Sequence, residues 1–287
     1  MFKFEKILFP IEFSSQDEAT APFVLSMARR YQAGVVLLHA IQPAPPVYAG
    51  MGGVYPEVFD FEGLREDLLI EVRRFAAAQL PKVDVECVVE IGEPAYTISQ
   101  YACGAGVDLV AMPTHGYGAF RRALLGSVTA KVLHDSARPV WTDAHAPEPS
   151  HRAHPQPRHI ICALDLKPEG QRALEVAVAL AHDAGATLEL VNVPAETASA
   201  AVAEHYMQHL LNDVAHAAQV GIQAPAPLAI PAEAGSGSIA DGIRDLALRR
   251  RADLVVIGRG AIQKGFGRLH SHAYDIIREC PCPVLSV

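Results

Sequence analysis

The sequence contains the same segments twice, in the same order. The matching pairs are KILFPIEF at 6–13 with HIICALDL at 159–166, VDLVAMP at 107–113 with ADLVVIG at 252–258, and RPVW at 138–141 with CPVL at 282–285. A repeat of this length is the signature of a duplicated structural unit, so we expect two copies of one domain. We place the copies at 1–145 and 158–287. The proline-rich stretch at 146–157 reads as the linker between them.

Within each copy, segments with strand patterns alternate with segments with helix patterns. In the first copy, 7–10, 35–40 and 107–111 are short apolar runs, and Phe23, Val24 and Met27 begin a stripe at helical spacing. Ser15 and Glu18 have the spacing of a capping box at the start of that helix. Strands that alternate with helices predict right-handed crossovers and a parallel sheet covered on both faces, which is an α/β fold.

The ligands of such sheets bind beyond the carboxyl ends of the strands, where the strand order reverses. Three segments of the first copy meet this rim: Pro10-Ile11-Glu12, Ala40-Ile41 and the stretch from Met112 to Thr129. The last of these is much longer than the roughly 2–6 residues usual between a strand and a helix. Its end, Gly126-Ser127, opens a helix whose free N–H groups would favour an anion such as phosphate. On these residues alone, an ordinary role is equally good: Ser127 caps the helix and the glycines turn the chain.

Composition excludes several classes of protein. Half of the residues are hydrophobic and only 20% are charged, as in a folded protein. The net charge of −8 argues against a non-specific nucleic-acid binder, and no run of roughly 18 apolar residues predicts a membrane span. Five cysteines without a CxxC pair suggest a reducing, cytoplasmic setting.

No set of residues with catalytic or metal-binding spacing stands out. The sequence has no P-loop, no nucleophile elbow and no carboxylate pair arranged for acid–base chemistry. His205, His209 and His216 share one helix face, but no carboxylate or cysteine completes a metal site, so we interpret them as an exposed face. The sequence therefore predicts neither catalytic residues nor metal ligands.

The long loop and its flanks resemble the universal stress protein family, whose motif is G-x2-G-x9-G-[ST]. Pro113 stands at the first glycine of that motif, Gly116 at the second, and Gly126-Ser127 close it. The resemblance covers both halves, 1–145 and 158–287. It implies two Rossmann-like, adenine nucleotide alpha hydrolase-like domains, each with a five-stranded parallel sheet flanked by helices.

The resemblance also implies that ATP or another adenine nucleotide, with or without Mg²⁺, binds non-covalently at the rim. The base and ribose would lie near Pro10, Ile11, Glu12, Ala40, Met112 and Pro113, and the phosphates near His115, Gly116, Gly126, Ser127, Val128 and Thr129. In the second copy Asp165 and Gly258 match the family, whereas Gly260, Ala261 and His270 depart from it. We therefore expect the first copy to hold most of any bound nucleotide.

The resulting hypothesis is a stress-response and signalling module that binds ATP and turns it over weakly, if at all. A second hypothesis is an interaction scaffold with degenerate pockets, which Pro113 and Glu12 favour because both depart from the family pattern. A third hypothesis is an adenylating enzyme of the ATP pyrophosphatase type, which shares the fold. It is disfavoured, because the family with that chemistry has an SGGxDS motif after its first strand. This chain has FPIEFSSQ there.

The last strand of each copy should present an unpaired edge. In single-domain members that this chain resembles, the last strand pairs with a second subunit. Here Val140-Trp141 can pair with Val284-Leu285 inside one chain. A further homodimer stays open.

Overall fold

The computed structural model describes residues 3–43, 60–114, 125–143, 156–165, 170–192, 200–230, 238–259 and 272–287. Within these residues, the first copy alternates five strands and four helices. In chain order they are β1 (Lys6–Pro10), α1 (Ser15–Tyr31), β2 (Gly34–Ile41), α2 (Phe61–Gln79), β3 (Val85–Ile91), α3 (Pro94–Gly104), β4 (Leu109–Met112), α4 (Ser127–Asp135) and β5 (Val140–Thr142). Helix α3 begins at Pro94, and α4 begins at Ser127, as expected from Gly126-Ser127.

The second copy repeats this order of elements. Its elements are β6 (His159–Ala163), α5 (Gly170–Ala184), β7 (Thr187–Asn192), α6 (Ala200–Ala218), β8 (Leu228–Ala229), α7 (Ile239–Arg250), β9 (Leu254–Ile257), α8 (His272–Glu279) and β10 (Val284–Ser286). The α/β repeat predicted from the sequence is therefore confirmed.

All ten strands form one sheet, in the order β3-β2-β1-β4-β5-β10-β9-β6-β7-β8. Strands are parallel within each copy, whereas β5 and β10 pair antiparallel at the centre, with Leu285 opposite Trp141. The pairing of the two copies inside one chain, expected from their terminal strands, is present. β3 lies at one edge of the sheet.

Alternate residues of each strand face two apolar layers. Ile7 and Phe9 of β1 belong to a core that also contains residues of α1, α2, α5 and α6. Leu8 faces the opposite core, which contains residues of α3, α4, α7 and α8. Each layer is continuous across both copies, so the chain buries a single three-layer structure.

A repeated aspartate fixes the first strand of each copy. Asp108, just before β4, accepts hydrogen bonds from the N–H groups of Glu5 and Lys6 at 2.7 and 2.9 Å. Asp253 occupies the same position of the repeat and accepts from Arg158 and His159 at 2.8 and 2.9 Å. The DL pair in VDLVAMP and ADLVVIG therefore joins neighbouring strands at their amino ends in both copies.

The first helix begins one residue earlier than the sequence pattern suggested. Ser14, not Ser15, is the N-cap of α1, and its capping-box partner is Asp17 rather than Glu18. Both pairs have the required spacing. Phe13, with φ of 61°, turns the chain so that Ser14 takes the extended cap conformation and Asp17 is buried. The expected pair was therefore wrong by one residue.

Candidate functional site

The strand order reverses between β1 and β4, so the crevice of the first copy lies at the carboxyl ends of these two strands. Leu8 is paired with Val110, two residues before Pro10 and Met112, the last residues of β1 and β4. Ala40 is the penultimate residue of the neighbouring strand β2. The structure thus brings the strand-end residues expected at the rim to the same edge of the sheet.

The turn from β1 into α1 is held by a buried carboxylate. Oδ2 of Asp17 accepts hydrogen bonds from the N–H groups of Glu12 and Ser14 at 3.0 and 2.7 Å, and from Oγ of Ser14 at 3.0 Å. Burial raises the pKa of Asp17, and these hydrogen bonds oppose the rise without cancelling it. The backbone N–H of Glu12 is therefore already used within the turn, while the side chain of Glu12 is exposed at the rim.

His39 ties the end of β2 to the end of β1. Its Nδ1 lies 2.9 Å from the carbonyl oxygen of Ile11, so Nδ1 must carry the hydrogen that this bond needs. The ring lies against Phe13, with 4.9 Å between ring centroids. The neighbouring Ala40 was predicted from the sequence to lie at the rim, whereas His39 was not. His39 could have been recognised as a polar residue near the end of an otherwise apolar strand.

The second copy makes the same link with a different residue. Nδ2 of Asn192, at the end of β7, donates to the carbonyl oxygen of Leu164 at 2.7 Å. Strand register aligns Asn192 with His39 and Leu164 with Ile11. Both copies thus keep a polar side chain that joins the first two strands at the rim.

The helix α4 begins beside the end of β4. The N–H of Gly126 donates to the carbonyl oxygen of Thr114 at 2.9 Å, and Oγ1 of Thr129 donates to the carbonyl oxygen of Pro113 at 3.0 Å. The hydroxyl of Thr129 is therefore used to fasten the helix to the strand. Ser127 is exposed at the first position of the helix.

Among the described residues, no side chain caps the first turn of α4, whose N-cap residue is Gly126. The N–H groups of the first turn lack acceptors within the helix, and the helix dipole makes this end positive. These are the features of an anion site at a helix terminus. His115 and Gly116, expected on the phosphate side, lie outside the described residues.

The candidate residues of the second copy also follow the carboxyl ends of its strands, which lie on the opposite side of the sheet from the rim of the first copy. Asp165 follows β6 and Gly258 follows β9, and these neighbouring strands pair Ala163 with Ile257. Because β5 and β10 are antiparallel, the carboxyl ends of the two sets of strands point in opposite directions. The two rims are therefore separate, and neither can complete the other.

Two histidines of the helix face described above are in contact. Nε2 of His205 lies 3.1 Å from Nε2 of His209 on the exposed side of α6, one turn apart. Within the described residues, no three His, Cys, Asp or Glu side chains are grouped closely enough to hold a metal ion.

Comparison with known protein families also finds two repeated units in the chain. The model of the universal stress protein family matches the chain twice, over residues 3–142 and 157–287. The chain belongs to the universal stress protein family. Its two matches cover nearly the whole chain, so it carries two universal stress protein domains in tandem.

Single-domain relatives match about half of this tandem universal stress protein. A universal stress protein of Methanocaldococcus jannaschii is 28% identical over 150 residues, which are 48% of this chain and 93% of that protein. One from Thermus aquaticus is 30% identical over 141 residues, 48% of this chain and 96% of that protein.

A solved structure extends the likeness to the full length. The crystal structure of a universal stress protein from Archaeoglobus fulgidus superposes with a TM-score of 0.71 at 21% identity, covering 99% of this chain and 96% of that one. At this identity the match shows a shared fold, the Rossmann-like arrangement in two repeats. No helix within the described residues is long and apolar enough to cross a membrane.

Proposed function

We propose that this tandem universal stress protein binds ATP or another adenine nucleotide, with or without Mg²⁺, at the rim of its first domain. The observation that carries the proposal is the first turn of α4, which no side chain of the described residues caps, directly beside the end of β4. The exposed Ser127 and the N–H groups of Val128 and Thr129 would bind phosphate oxygens, together with His115 and Gly116.

The nucleoside would occupy the crevice between the strand ends. Ile11 and Met112 offer buried apolar surface there, and Pro10 and Ala40 lie on the adjacent strands. The backbone N–H of Glu12 is bonded to Asp17, so Glu12 would contact the nucleoside through its side chain. Its exposed carboxylate would face the ribose hydroxyls. Asp165 and Gly258 would form a weaker nucleoside end in the second domain.

We further propose that nucleotide binding changes the conformation of the protein or its binding to a partner, and that turnover is weak or absent. The domains would span 1–145 and 158–287, with the linker at 146–157, in a cytoplasmic protein that binds neither nucleic acid nor membranes. Whether two chains assemble further into a homodimer is a matter for measurement of mass in solution.

A scaffold without nucleotide is the second candidate, and two observations favour it. Pro113 has no N–H to offer a phosphate, and its carbonyl oxygen accepts from Thr129. The N–H of Glu12 is likewise used within the turn. Because Pro113 lacks an N–H and the N–H of Glu12 is already bonded, neither backbone group can donate a hydrogen bond to a nucleotide at the first rim.

Isothermal titration of the full chain with Mg-ATP tests the proposal. We expect one site per chain, and mass spectrometry of ligand released from freshly purified protein should identify an adenine nucleotide. Two equivalent sites would contradict the assignment to the first domain. No binding at millimolar ATP would favour the scaffold, and rapid phosphate release would contradict weak turnover.

A further inference from the structure

Arg259 reaches from the second domain into the first. It follows Gly258 after β9, and its own N–H donates to the carbonyl oxygen of Val287 at 2.9 Å. Its guanidinium donates through Nη1 to the carbonyl oxygen of Ser136 at 2.5 Å and through Nη2 to that of Arg138 at 2.5 Å. A third bond joins Nη1 to the carbonyl oxygen of Leu133 at 3.3 Å.

These acceptors lie at the carboxyl end of α4. Leu133 is in the last turn of the helix, Ser136 is its C-cap, and Arg138 follows. The last carbonyl groups of a helix accept no hydrogen bond from the helix itself, and together they form the negative end of the helix dipole. The guanidinium of Arg259 therefore supplies both hydrogen bonds and a complementary charge at this end.

The contact is partly buried rather than superficial. Burial lowers the pKa of Arg259 to about 10, and the positive charge of Arg172 acts in the same direction. The group therefore stays protonated at neutral pH. A buried cation is costly unless it is fully hydrogen-bonded, and here backbone carbonyls meet that need.

A second contact holds the middle of the same helix. The hydroxyl of Tyr274, on α8, donates to the carbonyl oxygen of Ala130 at 2.7 Å. The second domain thus touches α4 at its centre and at its carboxyl end. At the amino end, Thr129 is bonded to Pro113 of the first domain.

The arrangement is not symmetric between the domains. Alignment of VDLVAMP with ADLVVIG places Thr114 at the position of Arg259. Thr114 is buried, and its carbonyl oxygen accepts from Gly126 at the start of α4. Thr114 and Arg259 are therefore equivalent in the repeat, but both contact α4. Thr114 binds the start of this helix from the first domain, and Arg259 binds its end from the second domain.

We propose that Arg259 is a positioning residue that fixes the direction of α4 and so sets the affinity of the first domain for phosphate groups. This inference rests on the proposed function. A helix of nine residues is a rigid rod of about 13 Å, so a tilt at its carboxyl end displaces the N–H groups at its amino end. The second domain acts as the support of the first domain's binding helix.

Titration of the wild type, Arg259→Ala and Arg259→Lys with ATP and with adenosine tests the inference. We expect Arg259→Ala to weaken ATP binding about fivefold or more, a typical coupling between sites, while adenosine binding is unchanged. Arg259→Lys should retain part of the ATP affinity, because it keeps the charge. Equal losses for ATP and adenosine, or no loss for either, would overturn the inference.

Arg250→Ala is the matched control. Arg250 also lies in the second domain, and its Nε donates to the buried Glu189 at 3.1 Å, whereas no hydrogen bond or ion pair of Arg250 in the described residues reaches α4. If loss of any such arginine weakened ATP binding to the same extent, general destabilisation would explain the effect and the inference would fail.

Tyr274→Phe decides the question if Arg259→Ala does not fold. It deletes one hydroxyl and one bond to α4, and we expect a smaller loss that again affects ATP and spares adenosine. Unchanged ATP affinity in that variant would count against the inference. A wild-type protein that binds neither ligand would overturn the proposed function and this inference with it, whereas wild-type binding with no response to either substitution overturns the inference alone.

Discussion

Thr142 and Ser286 occupy the same position of the two copies, and each donates its hydroxyl to the other copy's terminal strand. Oγ1 of Thr142 lies 3.2 Å from the carbonyl oxygen of Val284, and Oγ of Ser286 lies 3.2 Å from that of Val140. All four residues are buried. The antiparallel pairing at the centre of the sheet is thus reinforced by a reciprocal pair of side-chain bonds.

Loss of these hydroxyls should destabilise the union of the two domains. We expect Thr142→Val and Ser286→Ala each to lower the free energy of unfolding by about 0.5–1.5 kcal/mol, the usual net value of one hydrogen bond. Urea unfolding measures the change, with Ser15→Ala on the exposed surface as the control. If neither variant were less stable than the control, the bonds would contribute nothing to the interface.

The capping carboxylates of α1 and α7 should differ in importance. Asp17→Ala leaves the N–H groups of Glu12 and of the buried Ser14 without their acceptor, so we expect a loss of about 1–3 kcal/mol. Asp241 caps α7 in the same way with Ser238, but its side chain is 35% exposed whereas Asp17 is buried, so water can partly replace it. Asp241→Ala should cost less in thermal unfolding. Equal losses would show that burial of Asp17 is not what matters.

The single tryptophan should report on the domain interface. Trp141 of β5 stacks on Phe23 of α1, with 3.7 Å between ring centroids and 7° between ring planes. We expect Phe23→Leu to lower stability by about 1 kcal/mol and to shift the fluorescence of Trp141 to longer wavelength. Phe75→Leu, which removes an edge contact with Phe9, should destabilise the protein without that shift. An unchanged spectrum for Phe23→Leu would argue that the stack is not formed in solution.

A negative charge at the start of α4 should separate helix stability from nucleotide binding. Ser127→Asp places a carboxylate at the positive end of the helix, which we expect to add about 0.3–1 kcal/mol of stability. The same charge should repel the phosphates and weaken ATP binding about tenfold or more. Ala200→Asp, at the exposed first residue of α6, should be neutral for ATP. Undiminished ATP binding by Ser127→Asp would place the phosphates elsewhere.

Pro113→Gly should tighten ATP binding, because it restores an N–H where the family motif has glycine. One added hydrogen bond to a charged phosphate is worth about 1.5–3 kcal/mol, which is about tenfold or more in affinity. Thr129 can still donate to the carbonyl oxygen at position 113, so the helix stays attached. Calorimetric titration makes the comparison, and an unchanged affinity would mean that the pocket is adapted to the proline or holds no ATP.

Much of the first rim could be predicted because strand ends are visible in sequence. Apolar runs that stop at Pro10 and Met112 mark the carboxyl ends of β1 and β4, and Gly126-Ser127 marks the start of α4. Asp17 and His39 were missed, because the capping pair of Asp17 overlaps the equally spaced pair of Ser15 and Glu18, and His39 belongs to no motif. Each is significant only through its hydrogen bond to the turn after β1.

The sequence by itself determined the duplication and the α/β alternation, because repeated segments and periodic apolar residues can be recognised along the chain. The pairing of the terminal strands was expected from the resemblance to single-domain universal stress proteins. Only the tertiary structure decided which serine caps α1, since two overlapping pairs fit the same pattern. It alone showed that Arg259 reaches Ser136 and Arg138, more than 120 residues earlier in the chain. No local pattern encodes that contact, because it depends on how β5 and β10 align the two domains.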